Sequence, residues 1–170
     1  AMFILGQIYE HQGENRKATE QFEAVIKKHP GYEMTFEAQI NLAQCHDSRD
    51  TSEIMRMFWK MLKDTKNSEY KDRIYYAMSD VALKRDNEEL GIKYLRNSVA
   101  TSTNNNRQKV KSALKVASML FDNRDYVMSQ AYYDTVVMTM DRTYPEYDSL
   151  LNLSVMLSDL VDNLTTYQLQ

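Results

Sequence analysis

Four small side chains, Gly6, Ala43, Ser79 and Ala117, recur along this sequence at steps of 37, 36 and 38 residues, each directly after an apolar one (Leu5, Leu42, Met78, Val116). Behind each small residue runs a second set with its own fixed spacing. The first reads Ala18, Phe22 and Val25, and its counterparts read as Met55, Trp59 and Leu62, then Gly91, Leu95 and Ser98, then Ser129, Tyr133 and Val136. A period of this length marks a supersecondary unit too small to bury its own apolar face, so successive units must stack. That requirement excludes most other folds.

Within a unit the spacing is helical. Ile4, Leu5, Ile8 and Tyr9 fall at i, i+1, i+4 and i+5, which share one face of an α-helix. Small residues belong where two helices approach closely, and Phe22 is placed to fill the gap between one pair and the next. His11-Gln12-Gly13-Glu14-Asn15 supplies a polar turn, with Gly13 suited to the left-handed backbone that ends a helix. Asp47-Ser48-Arg49-Asp50, Arg85-Asp86-Asn87 and Asp122-Asn123-Arg124-Asp125 do the same further on, and Asp50 with Glu53 has capping-box spacing. Breaks between pairs fall at His29-Pro30-Gly31, Thr65 to Ser68, Thr101 to Asn106 and Asp141 to Pro145. With only 4 Gly and 2 Pro in 170 residues, sheets and long ordered loops lack their usual turn residues. After Pro145 a last helix is expected over 147–168, with Leu150, Leu151, Leu153, Leu157, Leu160, Val161 and Leu164 as its apolar stripe.

Leu5-Gly6 with Tyr9, then Ala18, Phe22, Val25 and Pro30, resembles the tetratricopeptide repeat, and three further matches follow. Met2 is a poor match only at the opening Trp-like position. The steps are slightly longer than the roughly 34 residues usual for that repeat. The resemblance implies an all-α fold, a tetratricopeptide-like α-solenoid of about four helix-turn-helix pairs plus a C-terminal helix. It forms a single domain over 1–170, with pairs near 1–31, 33–67, 70–102 and 107–143. The chain starts in mid-helix and stops without a cap, so a piece of a longer protein is expected.

Nothing in the sequence assembles catalytic chemistry, and no enzyme, cofactor or metal site is expected. His11 and His29 sit in predicted turns, and His46 takes the repeat's Tyr position. Cys45 is adjacent to His46, but neighbours on a helix point about 100° apart and do not face each other; Cys45 is expected to be a core thiol. The net charge of -3 and the lack of any basic run longer than two residues argue against nucleic acid. No stretch approaches the roughly 18–20 apolar residues of a membrane span.

The tetratricopeptide resemblance implies a protein or peptide partner held on a concave surface lined by each pair's first helix. Carried over residue by residue, that surface comprises Phe3, Gln7 and Glu10, then Glu37, Ile40, Gln44 and Asp47. Arg73, Tyr76, Asp80 and Leu83 follow, and then Lys111, Leu114, Ser118 and Phe121. Some members of the family clamp a C-terminal carboxylate with basic and Asn side chains. Here Asn41 and Arg73 fit that pattern, while Phe3, Gln7 and Ala77 depart from it, so no clamp is expected. The stretch from Tyr144-Pro145-Glu146-Tyr147 to Leu164-Thr165-Thr166-Tyr167 resembles the repeat region of PorW/SprE-type gliding-motility and type IX secretion lipoproteins. That implies a periplasm-facing part of a much longer outer-membrane lipoprotein, serving as a scaffold or adaptor in a multi-protein assembly. The alternative is a sensory or regulatory repeat region attached to a catalytic domain, such as a histidine kinase, and a cytoplasmic location. The sequence leaves compartment and oligomeric state open.

Overall fold

The polar breaks cut the chain into helices of 10 to 22 residues. The computed structural model describes residues 1–45 and 51–168, with side chains as far as 166. Among the described residues there are nine α-helices, one 3-10 turn and no strand. They are α1 (Met2–His11), α2 (Asn15–Lys27), α3 (Tyr32–Cys45), α4 (Ser52–Lys63), the 3-10 turn (Thr65–Tyr70), α5 (Lys71–Leu83), α6 (Glu88–Thr101), α7 (Asn106–Asp122), α8 (Tyr126–Thr139) and α9 (Tyr147–Gln168). The chain is all-α. His46 and the Asp47–Asp50 turn with its capping box lie outside the described residues.

The turns repeat in detail. Gly13 (φ 74), Asp86 (φ 55) and Arg124 (φ 62) hold the same place after α1, α5 and α7, each in the left-handed conformation. Around each, the same two backbone bonds close the helix. Gly13 N–H donates to Glu10 and Glu14 N–H to Tyr9; Asp86 to Leu83 and Asn87 to Ala82; Arg124 to Phe121 and Asp125 to Leu120. This pattern satisfies carbonyls that the helix end would leave unpaired. The side chains of Asn87 and Asp125 then cap the following helices by accepting from Leu90 N–H and Met128 N–H.

Apart from α3 and α4, the helices pack mainly on their neighbours in sequence. Close contacts join α1 to α2, α5 to α6 and α7 to α8, and further contacts join α2 to α3, α6 to α7 and α8 to α9; α1, α3, α5 and α7 also touch in series. The recurring small residues sit inside these contacts. Gly6 is buried, and Ala43, Ser79 and Ala117 are at most 1% exposed. A Cβ on Gly6 would stand 2.7 Å from the Phe22 ring, and one on Gly91 2.5 Å from Leu83. At the last pair, Ser129 Oγ donates to the Ala117 carbonyl at 2.9 Å. Ser154 falls 37 residues after Ala117. It too is buried, and its hydroxyl bonds the Asp134 carboxylate on α8.

Two expectations need correction. In α4 the buried residues are Ile54, Phe58 and Met61, not Met55, Trp59 and Leu62. Trp59 is 45% exposed and meets Tyr94 edge-on. Ile54 therefore stands where the other pairs carry Ala18, Gly91 and Ser129. Its bulk prevents a tight backbone crossing, and α4 approaches α5 and the 3-10 turn more closely than it does α3. Phe58 instead reaches the gap through its side chain, joining Phe36, Ile40, Ala43, Met78 and Val81 in one cluster. The second correction concerns α1, where Ile4, Leu5 and Ile8 are exposed. Their counterparts in later units, such as Met78, Val81 and Val116, are buried under a preceding helix, and among the described residues no helix packs on that side of α1.

A buried polar network ties α5, α6 and α7 together. Asp72, 1% exposed, accepts from Arg73 N–H at 2.8 Å and from Ser102 Oγ at 3.1 Å. Ser98 Oγ donates to the Asp72 carbonyl and shares a hydrogen bond with Ser112 Oγ, both at 2.7 Å. Each of these groups is hydrogen-bonded within the network, which ties the three helices together.

Candidate functional site

The expected binding residues divide into three groups. Phe3, Glu37 and Arg73 converge on a cleft of about 430 Å³, completed by Tyr32, Glu33, Met34, Phe36 and Tyr70. This cleft forms where α1, α3 and α5 begin, so three successive odd-numbered helices each contribute a wall. Its floor is aromatic: the Phe36 and Tyr70 rings lie 5.0 Å apart, and Phe3 meets Phe22 edge-to-face at 5.8 Å. Tyr32 and Met34, 40% and 45% exposed, form its rim. The Tyr32 hydroxyl donates to Asn67, whose side chain in turn donates to the Met61 carbonyl at 2.8 Å. Burial, then the neighbouring Asp64 and Tyr70, pushes the Tyr32 phenol up from its ordinary pKa.

The charged members pair with one another. Arg73 holds Glu37 through two parallel bonds, Nη1 to Oε1 at 2.6 Å and Nη2 to Oε2 at 2.7 Å, and its guanidinium lies 5.3 Å from the Phe36 ring centre. The bond to Glu37 raises the Arg73 pKa against the opposing effect of burial. Asp80 accepts from Lys115 at 2.6 Å. Tyr76 lies beneath both Lys111, at 4.3 Å, and Lys115, at 5.2 Å; burial, followed by the nearby Asp80, pushes its hydroxyl up to about 12. Glu10 and Gln44 both approach Lys84: its ammonium donates to the Gln44 carbonyl, and it opposes the rise in the Glu10 pKa that burial causes. These pairs link neighbouring units and leave little unbalanced charge along the face. Arg73 in particular has both terminal nitrogens engaged by Glu37.

The remaining residues split between core and solvent. Ile40 is 6% exposed and belongs to the central cluster. Leu83 packs on Gly91, and Leu114 packs against Val99, Val136, Tyr133 and Leu157. All three were expected on an open surface; their large apolar side chains turn into the helix contacts instead. Gln7, Lys111, Ser118 and Phe121 are exposed, with Phe121 edge-on to Tyr126 at 5.4 Å. Asp47 lies outside the described residues. Sequence reasoning missed Tyr32, Met34, Phe36 and Tyr70, because they sit upstream of the repeat's matched positions; the aromatic residue opening both α3 and the run into α5 was the available signal. Lys115 was missed as well, although it stands one period from Asp80.

Cys45 is buried, 1% exposed. Among the described residues no group of three or more His, Cys, Asp or Glu is placed to hold a metal ion, and no helix is long and apolar enough to cross a membrane. No family model matches the sequence, and no curated protein sequence matches it significantly. The resemblances described above therefore rest on the residues alone.

Proposed function

We propose that this chain is a non-catalytic, tetratricopeptide-like solenoid that holds a protein segment along the face formed by α1, α3, α5 and α7. Recurrent turns and small residues support the stacked arrangement, and buried Ser154, one period after Ala117, supports reading α9 as the start of a further unit rather than as a cap. The aromatic cleft carries the functional reading. It offers an apolar recess of a size that suits one or two side chains, walled by three helices, beside charges that are already paired. An extended segment would seat an apolar anchor there and continue across Gln7, Tyr76 and Ser118. A scaffold or adaptor role follows from such a surface.

Selection of a displayed random peptide library on the immobilised chain tests this. Enriched peptides should share an aromatic or aliphatic anchor. Met34→Glu, at the exposed rim, should weaken them about ten-fold or more, because a carboxylate beside an apolar anchor must be desolvated. Glu23→Gln, on exposed α2 surface, should leave them unchanged. Failure to enrich any peptide, or enrichment indifferent to Met34→Glu, would contradict the proposal.

A further inference from the structure

A second recess, of about 580 Å³, lies away from this cleft, lined by Asn87, Glu89, Leu90, Ile92, Lys93 and Arg96 of the α6 segment and by Leu120 of α7. Arg96 is half-buried, and its Nε–H is shut off from solvent without a hydrogen-bond acceptor. None of its nitrogens makes an ion pair or hydrogen bond with a described residue. Arg73 and Lys115, the half-buried cations of the other face, each hold a carboxylate. Arg96 does not, although it is close enough to Tyr132 to oppose the burial-driven rise of that phenol. Lys93 is exposed beside it and makes no ion pair with a described residue. Against these two positive charges the lining sets one carboxylate, Glu89, which leaves the recess net positive in a chain whose overall charge is -3.

The terminal Nη1 and Nη2 of Arg96, which lines the recess, also hold no described partner, and an arriving carboxylate would accept two parallel bonds from that planar fork. Leu90, Ile92 and Leu120 supply apolar wall beside it. We propose that this recess binds an acidic side chain, Asp or Glu, of a partner polypeptide, next to an apolar residue that packs on Leu90 and Leu120. It is a recognition site separate from the aromatic cleft and does not depend on it.

Titration of the isotope-labelled chain with acetyl-Leu-Glu-amide, followed through the Arg96 Nε–H resonance and the α6 amides, tests the proposal. The glutamyl peptide should shift these signals and bind at least about ten-fold more tightly than acetyl-Leu-Gln-amide. Arg96→Gln should abolish the difference, with circular dichroism confirming that the helices persist. Lys93→Gln, a surface change that cannot unfold the chain, should weaken the glutamyl peptide about two- to five-fold. The Met34→Glu variant should bind it as the parent does, so failure here and failure of the cleft are told apart. Equal binding of the two peptides, no shift at Arg96, an unaltered titration in Arg96→Gln, or tighter binding of inorganic phosphate than of the glutamyl peptide would each overturn the assignment.

Discussion

Phe58→Ala should cost about 3–5 kcal/mol of unfolding free energy, whereas Trp59→Ala, one residue later, should cost about 1 kcal/mol or less. Phe58 is wholly buried, and its ring joins α3, α4 and α5 in a single cluster. Truncation forfeits its transfer free energy and leaves a cavity among Phe36, Ile40 and Met78 that rigid helices close only in part. Trp59 is the larger residue, but it is 45% exposed and touches Tyr94 only edge-on. For a domain whose total stability is of the order of 5–15 kcal/mol, the first change removes a large share and the second is tolerated. Urea denaturation of both variants decides the matter. Equal losses, or a larger loss at Trp59, would restore the register in which Met55, Trp59 and Leu62 face inward.

The complementary change adds volume. Ala117→Leu should destabilise the chain by about 3 kcal/mol, since three further carbons must enter a crossing where no space exists. Ala117 is wholly buried, its carbonyl accepts from Ser129, and Tyr133 and Leu157 close around it. The bulkier side chain pushes α8 away from α7 and breaks that hydrogen bond. Ala100→Leu serves as the control: Ala100 is exposed on α6, so the same enlargement there should stay within about 0.5 kcal/mol. Thermal unfolding reads both variants. A tolerated Ala117→Leu would mean that this small residue does not mark a tight crossing.

The first-helix register was legible because a small residue at a tight crossing has no substitute, and Gly6, Ala43, Ser79 and Ala117 carry it openly. Ser154 obeys the same register but is hidden in a helix rich in leucine, whose stripe dominates any reading by hydrophobicity. The α4 register was lost for a related reason. Phe58 and Trp59 are adjacent aromatics, and spacing from Ala43 alone cannot choose between them when the linking turn varies by one residue. Charge could have chosen: Arg56 and Lys63 stand three and four residues from Trp59, on its own face of the helix, which marks that face as solvated. On the binding surface, residue types were read as ligand contacts where one-period separations of opposite charge, Glu37 with Arg73 and Asp80 with Lys115, signal pairing between units. The aromatic cleft could not be read at all from a single unit, because its walls come from the starts of three different helices.

Excising one whole period tests the stacking claim most directly. Deleting residues 79–116 joins Met78 to Ala117 in register, so the front of α5 continues as the end of α7. If the fold is a series of like units, the shortened chain should keep its mean residue helicity and unfold in one cooperative transition, at a lower temperature than the parent because fewer interfaces remain. Loss of helicity together with loss of a cooperative transition would show that the helices depend on one specific global arrangement rather than on repeated crossings between neighbours.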